Sequence, residues 1–186
     1  LIDGYLRGAL AGKVLTLAEL REAALQVAVY AGWSQGMLVD ASASRVATAL
    51  ALPPAETAPL AIDWADHAAR LVAGSVSFET VAAMPATPAF SPFVDAGVLS
   101  FVMAELWTRG GLDQRARRWL TLTCVGHSGA ALPIETHAAS ALRAGDCTFE
   151  ELMEFALLFA VQAGWPRGSV LHSAIGAVEA KLKDEG

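Results

Sequence analysis

The segment TLAELREAALQVAVYAGW (residues 16–33) recurs 132 residues later as TFEELMEFALLFAVQAGW (residues 148–165). When residues 9–46 are laid over residues 141–178 without gaps, fifteen of the 38 positions are identical. The identities include the Ala-Gly-Trp triplet and the polar residues at the start of the segment, all in one register. Because alanine-rich helices share single residues by chance but not a whole ordered pattern, the sequence indicates an internal duplication.

Each copy carries the signals of a helix, a tight turn and a second helix. Thr16 and Thr148 can cap a helix, and Glu19 and Glu151 stand three residues later, as in a capping box. The glycine of each Ala-Gly-Trp triplet suits the turn that ends such a helix. The sequence therefore predicts two helices in each copy, at Leu17–Tyr30 and about Gln35–Leu50, and at Phe149–Gln162 and about Arg167–Lys183.

The region between the copies is predicted to be helical as well. A proline-rich linker comes first, and alternation with a period of two residues, the mark of β-strands, is nearly absent. Helices are predicted at Ile62–Ala73, Phe93–Trp107, Gln114–Gly126 and Pro133–Arg143. We expect an all-α fold with a partial repeat at residues 1–51, a linker at 52–61 and a complete repeat at 62–186. The first repeat begins inside its unit and without methionine, which predicts that further residues precede Leu1.

Composition narrows the function classes. Hydrophobic residues make up 54% of the chain and charged residues 17%, which is apolar for a domain of 186 residues and predicts burial between subunits. No apolar run reaches the ~20 residues that a membrane span needs. The net charge of −6 and the lack of a basic cluster beyond residues 115–118 argue against nucleic-acid binding.

The two cysteines, Cys124 and Cys147, form neither a disulfide framework nor a zinc motif. Two lone cysteines in a chain of this length fit a reducing compartment best. The sequence therefore predicts a cytoplasmic protein.

Residues 105–168 resemble the carboxymuconolactone decarboxylase family. The family pattern combines a Glu-x-Trp-x-Arg-x-x-Leu-Asp turn, an arginine before an apolar helix, a histidine in the next helix, and a capped helix that ends in Ala-Gly. The matching residues are Glu105, Trp107, Arg109, Leu112, Asp113, Arg117, His137, Ala141, Leu142, Gly145, Thr148, Glu150, Glu151, Glu154, Ala163 and Gly164. The similarity extends over roughly residues 64–182, and the first copy resembles part of a second such unit.

The resemblance implies a helical bundle like that of the alkylhydroperoxidase D proteins, built from tandem units of which the first is incomplete. It also implies a homo-oligomer, a trimer or a hexamer, and either lactone decarboxylation or thiol peroxidase chemistry. The peroxidase branch uses a Cys-x-x-Cys motif, whose positions counted back from His137 are Ala130 and Pro133. Its assisting glutamate would fall at Arg118. Since neither cysteine is present, thiol chemistry is excluded at this site.

Decarboxylation of an unsaturated lactone acid needs a group that holds a carboxylate, a group that stabilises the developing oxyanion and a proton donor. It requires no cofactor and no metal. His137 is the candidate general acid, and Glu135, two residues earlier, is the candidate that orients its ring. The candidate substrate-binding residues are Arg109, Trp107, His127 and Arg117.

Each of these residues also has a structural interpretation. Arg109 could pair with Glu105 and Arg117 with Asp113, Trp107 could belong to the core, and Glu135 could serve as a first-turn acid of its helix. The family often places its acid four residues before the histidine, where this chain has Pro133. In the first copy the position of His137 is occupied by Tyr5, so at most one site per chain is predicted to work, completed by residues such as Tyr30 or Trp33 across the repeat interface.

Two functions follow from these observations. The first is a cofactor-free decarboxylase or related lyase that acts on a small lactone or carboxylic acid. The second is a non-catalytic oligomeric helical scaffold or small-ligand binder. A cavity that holds both His137 and an arginine favours the enzyme, and a cavity lined only by apolar groups favours the binder.

Overall fold

The computed structural model describes residues 1–185, and within them the chain forms nine helices and no strand, which confirms the all-α prediction. Eight are α-helices, and the segment Phe93–Leu106 is wound as a π-helix. The α-helices are α1 (Ile2–Ala11), α2 (Leu17–Ala31), α3 (Trp33–Ala49), α4 (His67–Ala82), α5 (Gln114–Ser128), α6 (Ala131–Arg143), α7 (Phe149–Ala163) and α8 (Trp165–Glu185).

The two copies of the repeated segment fold into matching helix pairs, α2 with α3 and α7 with α8. Both capping boxes form: the Thr16 hydroxyl accepts from the Glu19 backbone N–H, and the Thr148 hydroxyl accepts from that of Glu151. The turn in each pair is a single glycine with positive φ, 101° at Gly32 and 94° at Gly164. Glycine adopts this backbone conformation without a steric cost, so one residue is enough to redirect the chain.

The structure differs from the predicted boundaries in three places. The helix predicted at residues 62–73 is α4, which begins at His67, where the Asp66 side chain caps it by accepting from the Ala69 backbone N–H, and continues to Ala82. The second helices of both pairs begin at the tryptophan directly after the turn glycine, two residues earlier than predicted. Residues 2–11, for which no helix is predicted, form α1.

Long-range packing brings the two copies together through α5. This helix packs against α2 of the first copy and against α6 and α8 of the second, while α4 packs along the π-helix. The main hydrophobic core lies in the second copy and includes Leu122, Ile134, Leu152, Phe159 and Ile175. A smaller core joins α1, α2 and α3.

No helix within residues 1–185 combines the length and the hydropathy needed to cross a bilayer. The longest helix, α8, ends in a charged last turn.

Candidate functional site

A cavity of about 400 Å³ opens where α2, α4, the π-helix, α5 and α6 meet. Its wall is mostly apolar, and the polar groups on it come from α2, α5 and α6. The lining residues are Val29, Tyr30, Phe78, Val81, Ala82, Phe93, Gly97, Val98, Phe101, Val102, Met103, Arg118, Thr136, His137 and Ser140. A mainly apolar cavity with a few convergent polar side chains is the usual form of a small-molecule site.

His137 projects from α6 onto this cavity. Its ring meets the ring of Tyr30 edge to face, with 5.4 Å between the centroids. Its Nδ1 is buried and has no hydrogen-bond partner among the described residues. Burial, together with the positive charge of Arg118, lowers the pKa of His137 to about 4. The imidazole is therefore neutral at pH 7 when the cavity holds no anion.

Arg118 supplies the positive charge of the cavity and is fully buried. Its Nε and Nη2 donate to Asp146 Oδ2 at 3.0 and 2.8 Å, and Nη2 also donates to the carbonyl of Val81 at 2.7 Å. Its Nη1 is buried and has no acceptor in the part of the chain that the structure describes. Since a buried N–H without a partner is costly, Nη1 is a ready donor for an oxygen of a bound molecule.

Tyr30 links the cavity to the core behind it. Its hydroxyl oxygen accepts a hydrogen bond from Trp107 Nε1 at 2.8 Å. Burial raises the pKa of Tyr30 to about 12, so the phenol stays protonated. Trp107 itself is buried in the cluster with Val81 and Met103, and the guanidinium carbon of Arg118 lies 5.1 Å from the centroid of its ring. Trp107 therefore supports Tyr30 and Arg118 from behind and does not line the cavity.

Two of the predicted substrate-binding arginines lie in a buried charge network away from the cavity. Arg109 donates to both carboxylate oxygens of Glu22, and its Nη1 donates to Glu105 at 2.7 Å. Arg117 donates to Glu22, to Gln26 and to the carbonyl of Arg109. Arg70 completes the network through Glu105. The guanidinium groups are occupied by carboxylates of the chain itself, so the network joins α2 to α5 and to the π-helix.

The structure does not bring Glu135 or His127 to the cavity either. The Glu135 carboxylate accepts from Lys181 Nζ at 3.0 Å, on the side of α6 that faces α8. His127 is exposed at the end of α5, where its ring packs edge to face on Phe159. Of the six predicted site residues, only His137 lines the cavity, and Trp107 lies directly behind it.

Arg118 lines the cavity but is not among the predicted site residues. The run Arg-Ala-Arg-Arg at residues 115–118 was visible, but adjacent positions on a helix point about 100° apart, and only the packing of α5 decides which arginine faces the cavity. Tyr30 could be named as a residue that completes the site because it stands beside the repeat turn, yet its contacts with His137 and Trp107 depend on long-range packing.

The cysteine thiols and the possible metal ligands form no further candidate site among residues 1–185. Burial raises the pKa of both Cys124 and Cys147 to about 11, so these free thiols stay protonated. Within residues 1–185 no group of three or more His, Cys, Asp or Glu side chains is placed to hold a metal ion.

No protein-family model matches the chain, and no curated protein matches it in sequence.

Proposed function

We propose that this chain is a carboxymuconolactone decarboxylase-like protein that removes carbon dioxide from a small lactone or carboxylic acid without a cofactor. In this proposal its helices form an alkylhydroperoxidase D-like bundle of tandem units, the first of them incomplete. The observation that carries the proposal is a cavity lined by His137 and Arg118, whose Nδ1 and Nη1 are buried without a hydrogen-bond partner among residues 1–185.

The chemistry requires three events, and the cavity offers a group for each. The bond between the carboxylate carbon and the ring breaks, the electron pair moves onto the conjugated carbonyl oxygen, and a proton is added to the ring carbon. Arg118 Nη1 can donate to the developing oxyanion, because none of the described residues offers this nitrogen an acceptor. A carboxylate beside His137 favours the imidazolium, which then gives its proton to carbon as carbon dioxide leaves.

The wall of the cavity supports this chemistry in a second way. Phe78, Phe93 and Phe101 line it together with aliphatic side chains. A carboxylate moved from water into such surroundings loses hydration, and its conversion into uncharged carbon dioxide removes that penalty. The apolar lining therefore favours the transition state, in which the charge is already spreading, over the bound acid.

The same apolar lining also favours the second candidate, a small-ligand binder. Glu135 is engaged by Lys181, so no carboxylate of the chain orients His137. A protein that kept the cavity and lost the acid could bind a ligand without turning it over.

Turnover separates the two functions. The assay measures the decrease in absorbance as 4-carboxymuconolactone and other small unsaturated acids are decarboxylated. It compares the full chain with His137→Ala and with the control variant His67→Ala. His67 is exposed at the first residue of α4, pairs with Asp95 and is not among the residues that line the cavity. We expect turnover that His137→Ala lowers at least about 100-fold and His67→Ala leaves intact. Absence of turnover with every acid would leave the binder as the function.

We also propose that the protein assembles as a homo-oligomer, a trimer or a hexamer, and works in the cytoplasm. Its free cysteines support a reducing compartment. Large apolar side chains on both helix pairs support assembly: Trp33 is 61% exposed and Trp165 65% exposed, with Met37, Leu158 and Val161 beside them. Sedimentation velocity tests this, and a monomer at micromolar concentration would refute it.

A further inference from the structure

The charges around the cavity restrict what it can hold. Arg118 is the cation of the wall, and its partner Asp146 already neutralises it through two hydrogen bonds. Of the fifteen lining residues, only Arg118 carries a full charge at pH 7, since the His137 ring is neutral in the empty cavity. One anionic group can use Arg118 together with a His137 imidazolium, but a second would find no further cation among the fifteen lining residues.

The chemical composition of the lining also favours a ligand with a single anionic group. All lining residues from α4 and the π-helix are apolar, and the polar lining residues come from α2, α5 and α6. Burying a charge against apolar side chains is costly unless it is paired, whereas burying a ring there is favourable. A ligand that satisfies both sets of lining residues has an apolar body at one end and a single acidic or carbonyl group at the other.

We propose that the cavity selects compact, apolar-bodied monoanions, such as aromatic or alicyclic monocarboxylates, over dicarboxylates and over neutral analogues of the same size. This inference rests on the proposed function only in taking this cavity as the functional site. In this proposal the carboxylate pairs with Arg118 and His137, and the ring packs on the phenylalanines. A lactone that carries two carboxylates is therefore a poor ligand.

A substitution at Thr136 tests the preference for a single anionic group without disturbing the core. It lines the cavity from α6, is exposed, and bonds only its own helix through the Leu132 carbonyl. A carboxylate at this position opposes an anion in the cavity and leaves a neutral ligand unaffected. Ser173 is a matched control, because it is an exposed polar residue on α8 and lines a different groove.

The experiment measures binding to the full chain by isothermal titration calorimetry with three probes that share one ring system: 2-naphthoate, 2-naphthalenemethanol and naphthalene-2,6-dicarboxylate. We expect the monoanion to bind at least about tenfold more tightly than the alcohol and the dianion. In Thr136→Asp the affinity for 2-naphthoate falls at least about fivefold and that for the alcohol stays the same. In Ser173→Asp neither affinity changes.

The proposal is overturned if the dicarboxylate binds as tightly as the monoanion, if the alcohol matches it, if none of the probes binds, or if Thr136→Asp leaves the affinity for 2-naphthoate unchanged. These outcomes are distinct from failure of the lyase activity. Binding of 2-naphthoate without turnover of any acid refutes the lyase and keeps the ligand class. Turnover of a dicarboxylate lactone together with tight binding of the dianion refutes the ligand class and keeps the lyase.

Discussion

Helices α2 and α7 occupy equivalent places in the repeat, begin with the same capping box and end at the same glycine turn, yet their outer faces have different surroundings. On α2 the side chains of Glu22 and Gln26 are buried against α5. The matching residues of α7, Glu154 and Leu158, are exposed. The comparison teaches that the repeated sequence determines the local helix pair, whereas packing on α5 determines which of the two equivalent helix faces is buried.

The largest expected difference between the two copies is in the free energy of unfolding when the equivalent glutamates, Glu22 and Glu154, are replaced. Glu22→Ala removes the carboxylate shared by Arg109 and Arg117. Among residues 1–185 it leaves the buried Arg117 without a carboxylate partner and Arg109 with Glu105 alone, so we expect a loss of about 3–5 kcal/mol in the free energy of unfolding. Glu154→Ala changes an exposed side chain and should cost no more than about 0.5 kcal/mol. Urea unfolding measures both. Equal losses would show that the two faces have the same surroundings.

The next effect is a pH dependence of stability that His137 should cause and Tyr5 should not. Tyr5 occupies the equivalent position of the first copy and is 64% exposed. The pKa of His137 is about 4 in the folded chain, below its ordinary value of 6.5, so the unfolded chain binds more protons between these two values. Stability is therefore complete above pH 6.5 and falls as the pH drops toward 4, by about 3 kcal/mol from this residue.

Thermal unfolding between pH 4 and pH 7 tests that effect in the full chain and in His137→Phe. We expect the variant to lose much less stability over this interval, since phenylalanine does not titrate. Tyr5→Phe serves as the control and should keep the pH dependence of the parent chain. Identical pH profiles for the parent chain and His137→Phe would contradict the burial of His137.

A smaller effect tests the likeness of the two helix pairs. A Cβ added at Gly36 would lie 2.4 Å from the Cβ of Ala28, and one added at Gly168 would lie 2.3 Å from that of Ala160. Both Gly→Ala substitutions should therefore destabilise the chain by about 1–3 kcal/mol and by similar amounts. Gly176→Ala, on α8 with nothing within 4 Å of the added Cβ, is the control and should be neutral or stabilising. Unequal losses at Gly36 and Gly168 would mean that the two pairs are packed differently.

The smallest effect concerns the helix caps. Thr16→Ala and Thr148→Ala each remove a side-chain acceptor for a backbone N–H and should each lower the free energy of unfolding by about 1 kcal/mol. Chemical denaturation of the single and double variants checks this, and the two losses should add because the caps are in different copies. Thr80→Ala, on the exposed side of α4, is the control.

The features that could be predicted from the sequence are local. Capping residues, the turn glycines and the apolar faces of α2 and α7 depend on neighbours within a few residues, so two copies of the pattern made the helix pairs evident. The π-helix at Phe93–Leu106 has no such signal, whereas the start of α4 has a local signal, the Asp66 cap, that the prediction did not use. In the site, the structure places His137, the predicted general acid, on the cavity wall, and it places Arg109 and Arg117 in the buried charge network, because an arginine's partner cannot be read from its own position.

Because the cavity wall combines residues from both copies of the repeat, ligand binding and the docking of the copies are thermodynamically linked. Tyr30 comes from α2 of the first copy, and His137 and Arg118 come from the second. A ligand that contacts all three binds only when the copies are docked, so occupancy and docking form one linked equilibrium. At a concentration 100 times its dissociation constant, such a ligand adds about 2.7 kcal/mol to the stability of the docked state. A ligand bound in the cavity would therefore stabilise the contact between the two copies of the repeat.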